Sequence, residues 1–192
     1  MSGLFPAFLK LTGRPVLVVG AGPVAASKLD SLLAAEASVT VVAPEVLPEI
    51  VRPGVRILRR GFTSSDIDGV FLIIAAATPE VNREVAAAAE ARAVFVNAVD
   101  DPENASLYLG AVVRRGGVTL AVSTDGQAPA LAGLLREALE AVLPDDVGSW
   151  VETARRVRAV QKAEGLPMSQ RRPRLLAALN ELYAARGVEI HA

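Results

Sequence analysis

The sequence predicts an α/β fold in which helices cover both faces of a parallel sheet. Short continuous apolar runs alternate with stretches of helical periodicity from Pro15 to Asn97, as expected for buried strands and the helices that cover them. Apolar residues make up 52% of the chain and aromatic residues only 4%, so alanine, valine and leucine must build the core. The 192 residues suffice for one such domain and a smaller appendage.

The elements of this domain can be assigned in order. We expect strands over residues 15–19, 39–42, 55–58, 70–75 and 94–97, and helices over 23–35 and 79–91. In the first helix, Val24, Leu29, Leu32 and Leu33 are predicted to line one side. Pro79 suits the start of the second helix, where a missing N–H costs nothing. The first part of the chain is therefore predicted to be a Rossmann-like doubly wound parallel sheet.

The pattern changes after Asp101–Pro102. Residues 107–113 and 118–122 are predicted to form an antiparallel strand pair that turns at Arg115-Gly116-Gly117. A helix over 129–142 follows, and the chain from 145 onward is helical with a break at 165–167. We expect three segments: the Rossmann domain over 1–110, a small β-plus-helix segment over 111–146 and a C-terminal helical segment over 147–192.

The turn after the first strand, Gly20-Ala21-Gly22-Pro23-Val24-Ala25, has the pattern of a dinucleotide-binding loop. Gly20 permits the tight turn, Gly22 lets a pyrophosphate approach the backbone, and Ala25 lets the helix pack closely on the strand. The phosphates would lie at the helix N-terminus, where free N–H groups favour anions. The alternative is an ordinary strand-to-helix turn that needs glycine, but the strands and helix around it favour binding of a dinucleotide.

The end of the second strand does not decide between NAD and NADP. The strand ends at Ala43–Pro44 with neither an acid for the ribose hydroxyls nor an arginine for a 2′-phosphate, although Glu45 follows directly. The candidate cofactor-binding residues lie after three of the predicted strands: Gly20, Gly22, Pro23, Val24, Ala43, Pro44, Glu45, Ala76 and Thr78.

Composition limits the possible chemistry. The chain has no cysteine, and its single histidine, His191, is next to the last residue, so we predict no metal site and no histidine-based or thiolate-based catalysis. A net charge of −1 gives no general attraction to nucleic acid or to an anionic membrane. The start of the chain does not resemble a signal peptide, and the longest apolar run, 70–77, is too short to span a bilayer. We therefore expect a cytoplasmic protein.

Asp100 is the candidate catalytic residue. It follows the predicted strand 94–97, and ligands of open parallel sheets bind outside the carboxyl ends of the strands. A carboxylate at that position could serve as a general base or hold a cation. An aspartate in a turn close to a proline is also a common structural arrangement, so the local sequence leaves both interpretations open.

Longer motifs resemble one enzyme family. They are Asn97-Ala98-Val99-Asp100, Ser106, Ala121-Val122-Ser123-Thr124-Asp125-Gly126, Pro129, Leu134-Leu135-Arg136-Glu137 and Leu143-Pro144-Asp145-Asp146-Val147-Gly148. In order and spacing this set resembles the precorrin-2 dehydrogenase/sirohydrochlorin ferrochelatase family, which includes the N-terminal part of siroheme synthases. The opening segment Leu4-Phe5-Pro6-Ala7-Phe8-Leu9 is similar to that of the family as well.

The resemblance implies NAD-dependent oxidation of precorrin-2 to sirohydrochlorin, with ferrous iron insertion retained in some members. It assigns the family's key acid to Asp100, and the substrate-binding candidates within the motifs are Asn97, Ser123, Thr124 and Arg136. The family's phosphorylated serine falls on Thr124, whereas helix capping is the everyday structural role expected for Ser123 and Thr124. The resemblance further implies that the middle segment forms a homodimer. A regulatory module that senses NAD without catalysis is the alternative function, because such a module needs neither Asp100 nor the turn at 123–126.

The C-terminal part of the chain is basic. From Val151 to the end there are eight lysine or arginine residues against four glutamates. Arginine and lysine bind carboxylates in charge-assisted pairs, and the tetrapyrrole that the resemblance implies carries many carboxylates. The alternative is an ordinary solvated helix face, which is the commoner meaning of a run of charges.

Overall fold

The computed structural model describes residues 3–99 and 101–184. The chain divides into two compact units, with the boundary between Leu109 and Gly110. Each unit has its own sheet and its own helices.

The first unit is built on a five-stranded sheet in which all strands are parallel. The strands are β1 (Pro15–Val19), β2 (Ser38–Val42), β3 (Val55–Leu58), β4 (Leu72–Ala75) and β5 (Phe95–Ala98), and the helices are α1 (Pro23–Ala34) and α2 (Pro79–Glu90). The strand order is β3-β2-β1-β4-β5, so the order reverses between β1 and β4. This topology confirms the predicted Rossmann-like fold, and the switch between β1 and β4 is where such sheets bind their ligands.

The sheet has an apolar core on each face, because successive strand residues point to opposite sides. Val16 and Val18 of β1 pack with Leu29 of α1 on one face. Leu17 and Val19 pack with Val85 of α2 on the other. A strand buried on both faces must be apolar at every position, which is why β1 could be recognised as a continuous apolar run.

The strand β5 lies at the edge of the sheet, and the segment that follows it forms hydrogen bonds with this edge. The N–H groups of Ser106 and Leu107 both donate to the Val96 carbonyl, and the Ser106 hydroxyl accepts the Val96 N–H. The Asn97 side chain donates to the Leu107 carbonyl at 2.9 Å. These bonds occupy backbone groups that an edge strand would otherwise leave open.

The second unit begins with an antiparallel pair, β6 (Ala111–Arg115) and β7 (Val118–Val122). The two residues between them, Gly116 and Gly117, have φ of 54° and 84°, the left-handed backbone that a two-residue hairpin turn requires. The antiparallel pair is as predicted, but its first strand begins four residues later than residue 107. Leu107 cannot belong to this pair because its N–H is bonded to β5 of the first unit.

As far as residue 184, the second unit continues with three helices: α3 (Pro129–Val142), α4 (Val147–Ala163) and α5 (Met168–Ala184). The start of α4 lies directly against the hairpin turn, because a Cβ on Gly116 would be only 2.4 Å from the backbone nitrogen of Gly148. The α4–α5 pair is joined by Trp150 and Tyr183, whose rings meet edge to face at 5.7 Å. Within the described residues, no helix is both long and apolar enough to cross a membrane.

Candidate functional site

The glycine turn between β1 and α1 lies against the turn between β4 and α2. Gly20 has φ of 99°, and its N–H donates to the Val42 carbonyl at 2.9 Å. A Cβ at this position would be 2.2 Å from the Ala76 carbonyl oxygen and 2.9 Å from the Ala77 nitrogen. Both the backbone conformation and the close approach therefore require glycine.

Gly22 lies in open space, unlike the closely packed Gly20. It is the N-cap of α1, with extended backbone and no side-chain cap, and an added Cβ would meet no atom within 4 Å. Pro23 occupies the first turn, and Ala25 is completely buried against the sheet. The open space above Gly22 and the uncapped first turn of α1 together provide a surface that can receive an anion.

Val24 does not pack where the helical pattern predicted. It was expected on the buried side of α1, yet it is 41% exposed, while Ala25, Leu29 and Leu32 are buried. The side chain of Val24 lines a cavity instead. The prediction for Val24 is wrong because it assumed that every apolar residue of α1 faces the sheet, whereas the first turn of this helix also faces the cavity.

Ala43, Pro44 and Glu45 follow β2, with Ala43 buried and the other two exposed. Val42 pairs with Leu58 in the register of β2 and β3, and the Ala43 N–H donates to the Leu58 carbonyl. Arg59, the exposed residue after Leu58, consequently lies at the same end of the sheet. The sequence could not place Arg59 at the end of β2, because sixteen positions separate it from Ala43. Only the pairing of β2 with β3 brings the two residues to the same end of the sheet.

The turn between β4 and α2 contains Ala76 and Thr78. Ala76 is bound to β1 by its N–H, which donates to the Val19 carbonyl. Thr78 is the N-cap of α2 and accepts the Val81 N–H. The pKa of Glu80 in the same turn is lowered, first by its own backbone N–H and then by the Thr78 hydroxyl. Asn82, one helical turn into α2, is almost completely buried, and its Oδ1 accepts the Ala77 N–H at 3.0 Å.

A cavity of about 400 Å³ lies at the carboxyl ends of the central strands. The residues that line it come from the glycine turn, from the turn after β4 and from the segment after β5: Val24, Ala76, Ala77, Pro79, Asn82, Val99 and Asp101. The structure thus brings two predicted cofactor residues, Val24 and Ala76, to one cavity at the switch point of the sheet. Asn82 could not be recognised beforehand, since a single asparagine in an amphipathic helix carries no distinctive signal in the sequence.

Asp100, the predicted catalytic residue, lies outside the described residues. The neighbouring Val99 donates its N–H to the Ala75 carbonyl, and the carboxylate of Asp101 accepts a hydrogen bond from the Asn104 side chain at 2.8 Å. Asn97, a predicted substrate-binding residue, is buried in β5, and its amide donates to the Leu107 carbonyl. The described contacts of Asn97 are therefore within the protein.

The turn at 123–126 belongs to the second unit. The Ser123 hydroxyl accepts the Asp125 N–H, and the Thr124 hydroxyl accepts the N–H of Ala128. Ala128 is itself the N-cap of α3, which has no side-chain cap. The expected capping role is therefore wrong: Ser123 and Thr124 stabilise their own turn, and both keep a hydroxyl hydrogen that can be donated elsewhere.

Arg136, on α3, is held by its neighbours on the same helix. Its guanidinium contacts the carboxylates of Glu140 at 2.6 Å and Glu137 at 3.1 Å. Two of the basic residues in the C-terminal segment are also engaged: Arg174 pairs with Glu164, and Arg171 donates to the Leu166 carbonyl. Among the residues that the structure describes, no group of three or more histidine, cysteine or acidic side chains could hold a metal ion.

The fold and the glycine turn define a Rossmann-type dinucleotide-binding protein. A family model described as putative NAD(P)-binding matches residues 7–111, more than half of the chain, and a second model, described as the central part of a sirohaem biosynthesis protein, matches 115–141. The chain belongs to this putative NAD(P)-binding family.

Individual relatives are more specific. The chain is 42% identical over 170 residues to siroheme synthase 2 of Aeromonas hydrophila, which covers 87% of this chain and 36% of the relative. It is 41% identical over 186 residues to the siroheme synthase of Neisseria meningitidis, covering 94% of this chain and 39% of the relative. The chain thus spans little more than a third of the length of these relatives.

One solved structure matches over nearly the whole chain. It is that of SirC, a precorrin-2 dehydrogenase, with a TM-score of 0.71 and 26% identity; the match covers 94% of this chain and 92% of that one. These comparisons confirm the family resemblance that the motifs indicated.

Proposed function

We propose that this chain is an NAD-dependent dehydrogenase that oxidises precorrin-2 to sirohydrochlorin. The observation that carries the proposal is the open space at Gly22, in the glycine turn that also contributes Val24 to a cavity at the switch point of the sheet. The similarity over almost the full length of SirC, described as a precorrin-2 dehydrogenase, supports this substrate.

The residues of the glycine turn fit a dinucleotide. The uncapped N–H groups at the start of α1 can bind the pyrophosphate, and the absence of a side chain on Gly22 leaves room for it. Ala76 and Val24 offer apolar surface in the cavity, against which an uncharged part of the cofactor can pack. When bound, NAD⁺ supplies a hydride acceptor.

We assign Asp100 as the base of this reaction. Dehydrogenation breaks a C–H bond of the macrocycle with loss of hydride to the cofactor, and a proton must leave a neighbouring position. A carboxylate can take that proton, and it needs neither a histidine nor a thiolate. The assignment is supported by the positions of Val99 and Asp101, which precede and follow Asp100 and both line the cavity.

The second unit offers cations for an acidic substrate. Arg155, Arg156, Arg158 and Lys162 on α4 are exposed and have no ion-pair partner among the described residues. Arg155, Arg158 and Lys162 lie on one face of that helix, because residues three and four positions apart are neighbours. We propose that this face, within the segment 147–192, binds carboxylates of the tetrapyrrole, and that the Ser123 and Thr124 hydroxyls donate to the same ligand. Asn97 and Arg136 stay substrate-binding candidates, although their described contacts are with the protein itself.

We further propose that the segment 111–146 forms a homodimer. The helix α3 exposes an apolar stripe of Leu131, Leu134, Leu135, Leu139 and Val142, which are between 39% and 80% accessible. A contiguous apolar surface of this kind is typical of an association site.

The proposal is tested by incubating the full chain with NAD⁺ and precorrin-2 and recording NADH and the sirohydrochlorin spectrum. We expect turnover by the wild type and a loss of about 10²-fold or more in Asp100→Asn, since general bases contribute about 10²–10⁴. Asp68→Asn, at an exposed aspartate that does not line the cavity, is the control and should keep most of the activity. A wild type that binds NAD but shows no turnover would favour the alternative function, a regulatory module that senses NAD without catalysis. Ferrous iron added to the same cuvette measures metal insertion separately.

A further inference from the structure

Asn82 is a buried amide at a position where α2 otherwise buries apolar side chains. It is 4% exposed, whereas the other buried residues of this helix are Val85, Ala86 and Ala89. An amide that is removed from water without hydrogen bonds is destabilising, so a buried asparagine needs partners for both ends of its side chain.

The oxygen of this amide has a partner inside the protein. Oδ1 of Asn82 accepts the Ala77 N–H at 3.0 Å. That bond holds the turn between β4 and α2, and the carbonyl of Ala76 in this turn is the group against which Gly20 packs. The acceptor half of Asn82 therefore fixes the relative position of the two turns at the edge of the cavity.

The nitrogen of the amide is available. Asn82 Nδ2 has no hydrogen-bond acceptor among the described residues. It is not sealed inside the protein either, because in this part of the chain the fully buried side-chain polar atom that lacks a partner is Arg52 Nε. The nitrogen therefore retains access to the cavity that Asn82 lines together with Ala76 and Val99. A planar amide whose oxygen is fixed can present its two N–H groups only within a narrow range of directions.

The position of this cavity indicates which half of a dinucleotide reaches it. In a Rossmann sheet the adenosine ribose lies at the end of β2, and the ligand crosses the crevice at the switch point. A pyrophosphate bound at the start of α1, as proposed above, would leave the other half of the ligand to extend over the ends of β4 and β5, which lie on the opposite side of β1 from β2. Asn82 lies on that side.

Resting on the NAD-binding function proposed above, we propose that Asn82 Nδ2 donates a hydrogen bond to an oxygen of the nicotinamide-side ribose. The same side chain thereby joins the cofactor to the turn that supports the glycine loop. Asn82 is a cofactor-positioning residue in this arrangement, with its acceptor used by the protein and its donor by the ligand.

The test compares wild type and Asn82→Asp with a series of ligands of increasing length. Aspartate has the same shape and can still accept the Ala77 N–H, but at neutral pH it has no donor. Affinities of the full chain for AMP, ADP, ADP-ribose and NAD are measured by calorimetry. We expect AMP and ADP to bind within about twofold of wild type, and ADP-ribose and NAD about tenfold more weakly, the change that one net hydrogen bond gives.

The outcomes separate this inference from the function on which it rests. Equal losses for ADP and NAD would indicate a purely structural or electrostatic role and overturn the proposal, as would an unchanged NAD affinity. A wild type that does not bind NAD at all would refute the proposed function instead.

A second measurement does not depend on the variant. In ¹⁵N-labelled wild-type protein, the side-chain amide signal of Asn82 should shift on addition of ADP-ribose and not on addition of ADP. An amide signal that ignores ADP-ribose contradicts the proposal.

Discussion

Replacing Gly20 with alanine should destabilise the first unit strongly. The new Cβ would be 2.2 Å from the oxygen and 2.6 Å from the carbon of the Ala76 carbonyl, and these are backbone atoms that no rotamer change can move away. The φ of 99° adds a conformational cost of about 1–2 kcal/mol for a residue with a Cβ. With about 1–3 kcal/mol for overpacking, the free energy of unfolding should fall by roughly 2–5 kcal/mol.

Gly22→Ala is the matched control, because the same substitution is made two residues away. Its φ of −88° suits alanine, and the added Cβ would touch nothing within 4 Å. The free energy of unfolding should therefore fall by no more than about 1 kcal/mol, because alanine is a poorer N-cap than glycine but meets no steric clash here. The methyl group does occupy the space through which the pyrophosphate would approach, so NAD should bind about tenfold more weakly.

Urea unfolding and calorimetric titration with NAD distinguish the two glycines. The expected pattern is a large loss of stability in Gly20→Ala, and a loss of affinity with only a small loss of stability in Gly22→Ala. A Gly20→Ala protein as stable as wild type would refute the packing argument. A Gly22→Ala protein that binds NAD normally would refute the role of the open backbone.

Three further predictions concern other parts of the chain. Gly116→Ala would bring a Cβ to 2.4 Å from the Gly148 nitrogen and should lower the stability of the second unit in urea unfolding, whereas Gly133→Ala, in open space on α3, should raise it by about 0.5–1 kcal/mol. Asp66 has its pKa lowered, first by the Arg60 side chain, so its stabilising effect is present above the unfolded pKa of about 4 and is lost as the pH falls through the lower folded value. Asp66→Asn should accordingly be less stable than wild type at pH 7, and urea titrations should show this difference shrinking in acid; a constant difference contradicts the ion pair as its cause. Leu134→Glu should shift the protein toward monomer in analytical ultracentrifugation and Met168→Glu, which is also well exposed but lies on α5, should not; identical sedimentation of both variants argues against an α3 interface.

The strands and helices of the first unit could be predicted because the residues that they bury form recognisable local patterns in the sequence. The strand β1 is buried on both faces and is therefore apolar at every position, and α2 begins at a proline preceded by a capping threonine. The glycine turn was recognisable for a similar reason, since Gly20 has a backbone conformation that other residues rarely adopt.

Other features depend on contacts between distant segments. The first strand of the antiparallel pair begins at Ala111 and not at residue 107, because Leu107 bonds to β5. Arg59 reaches the end of β2 only through the pairing of β2 with β3. Val24 and Leu29 are both apolar, so their residue types do not predict that Val24 faces a cavity and Leu29 faces the sheet.

The sequence by itself determined the Rossmann-like order of elements, the glycine turn and the family, because these depend on residue types at fixed spacing along the chain. Only the tertiary structure decided that Gly20 packs on the Ala76 carbonyl, that Gly22 faces open space, and that Asn82 lies beside the same cavity. The motif assigned different roles to its two glycines, but it could not name the atoms that each of them approaches. They differ in what their missing side chains would touch, and that depends on strands and helices folded against each other from elsewhere in the chain.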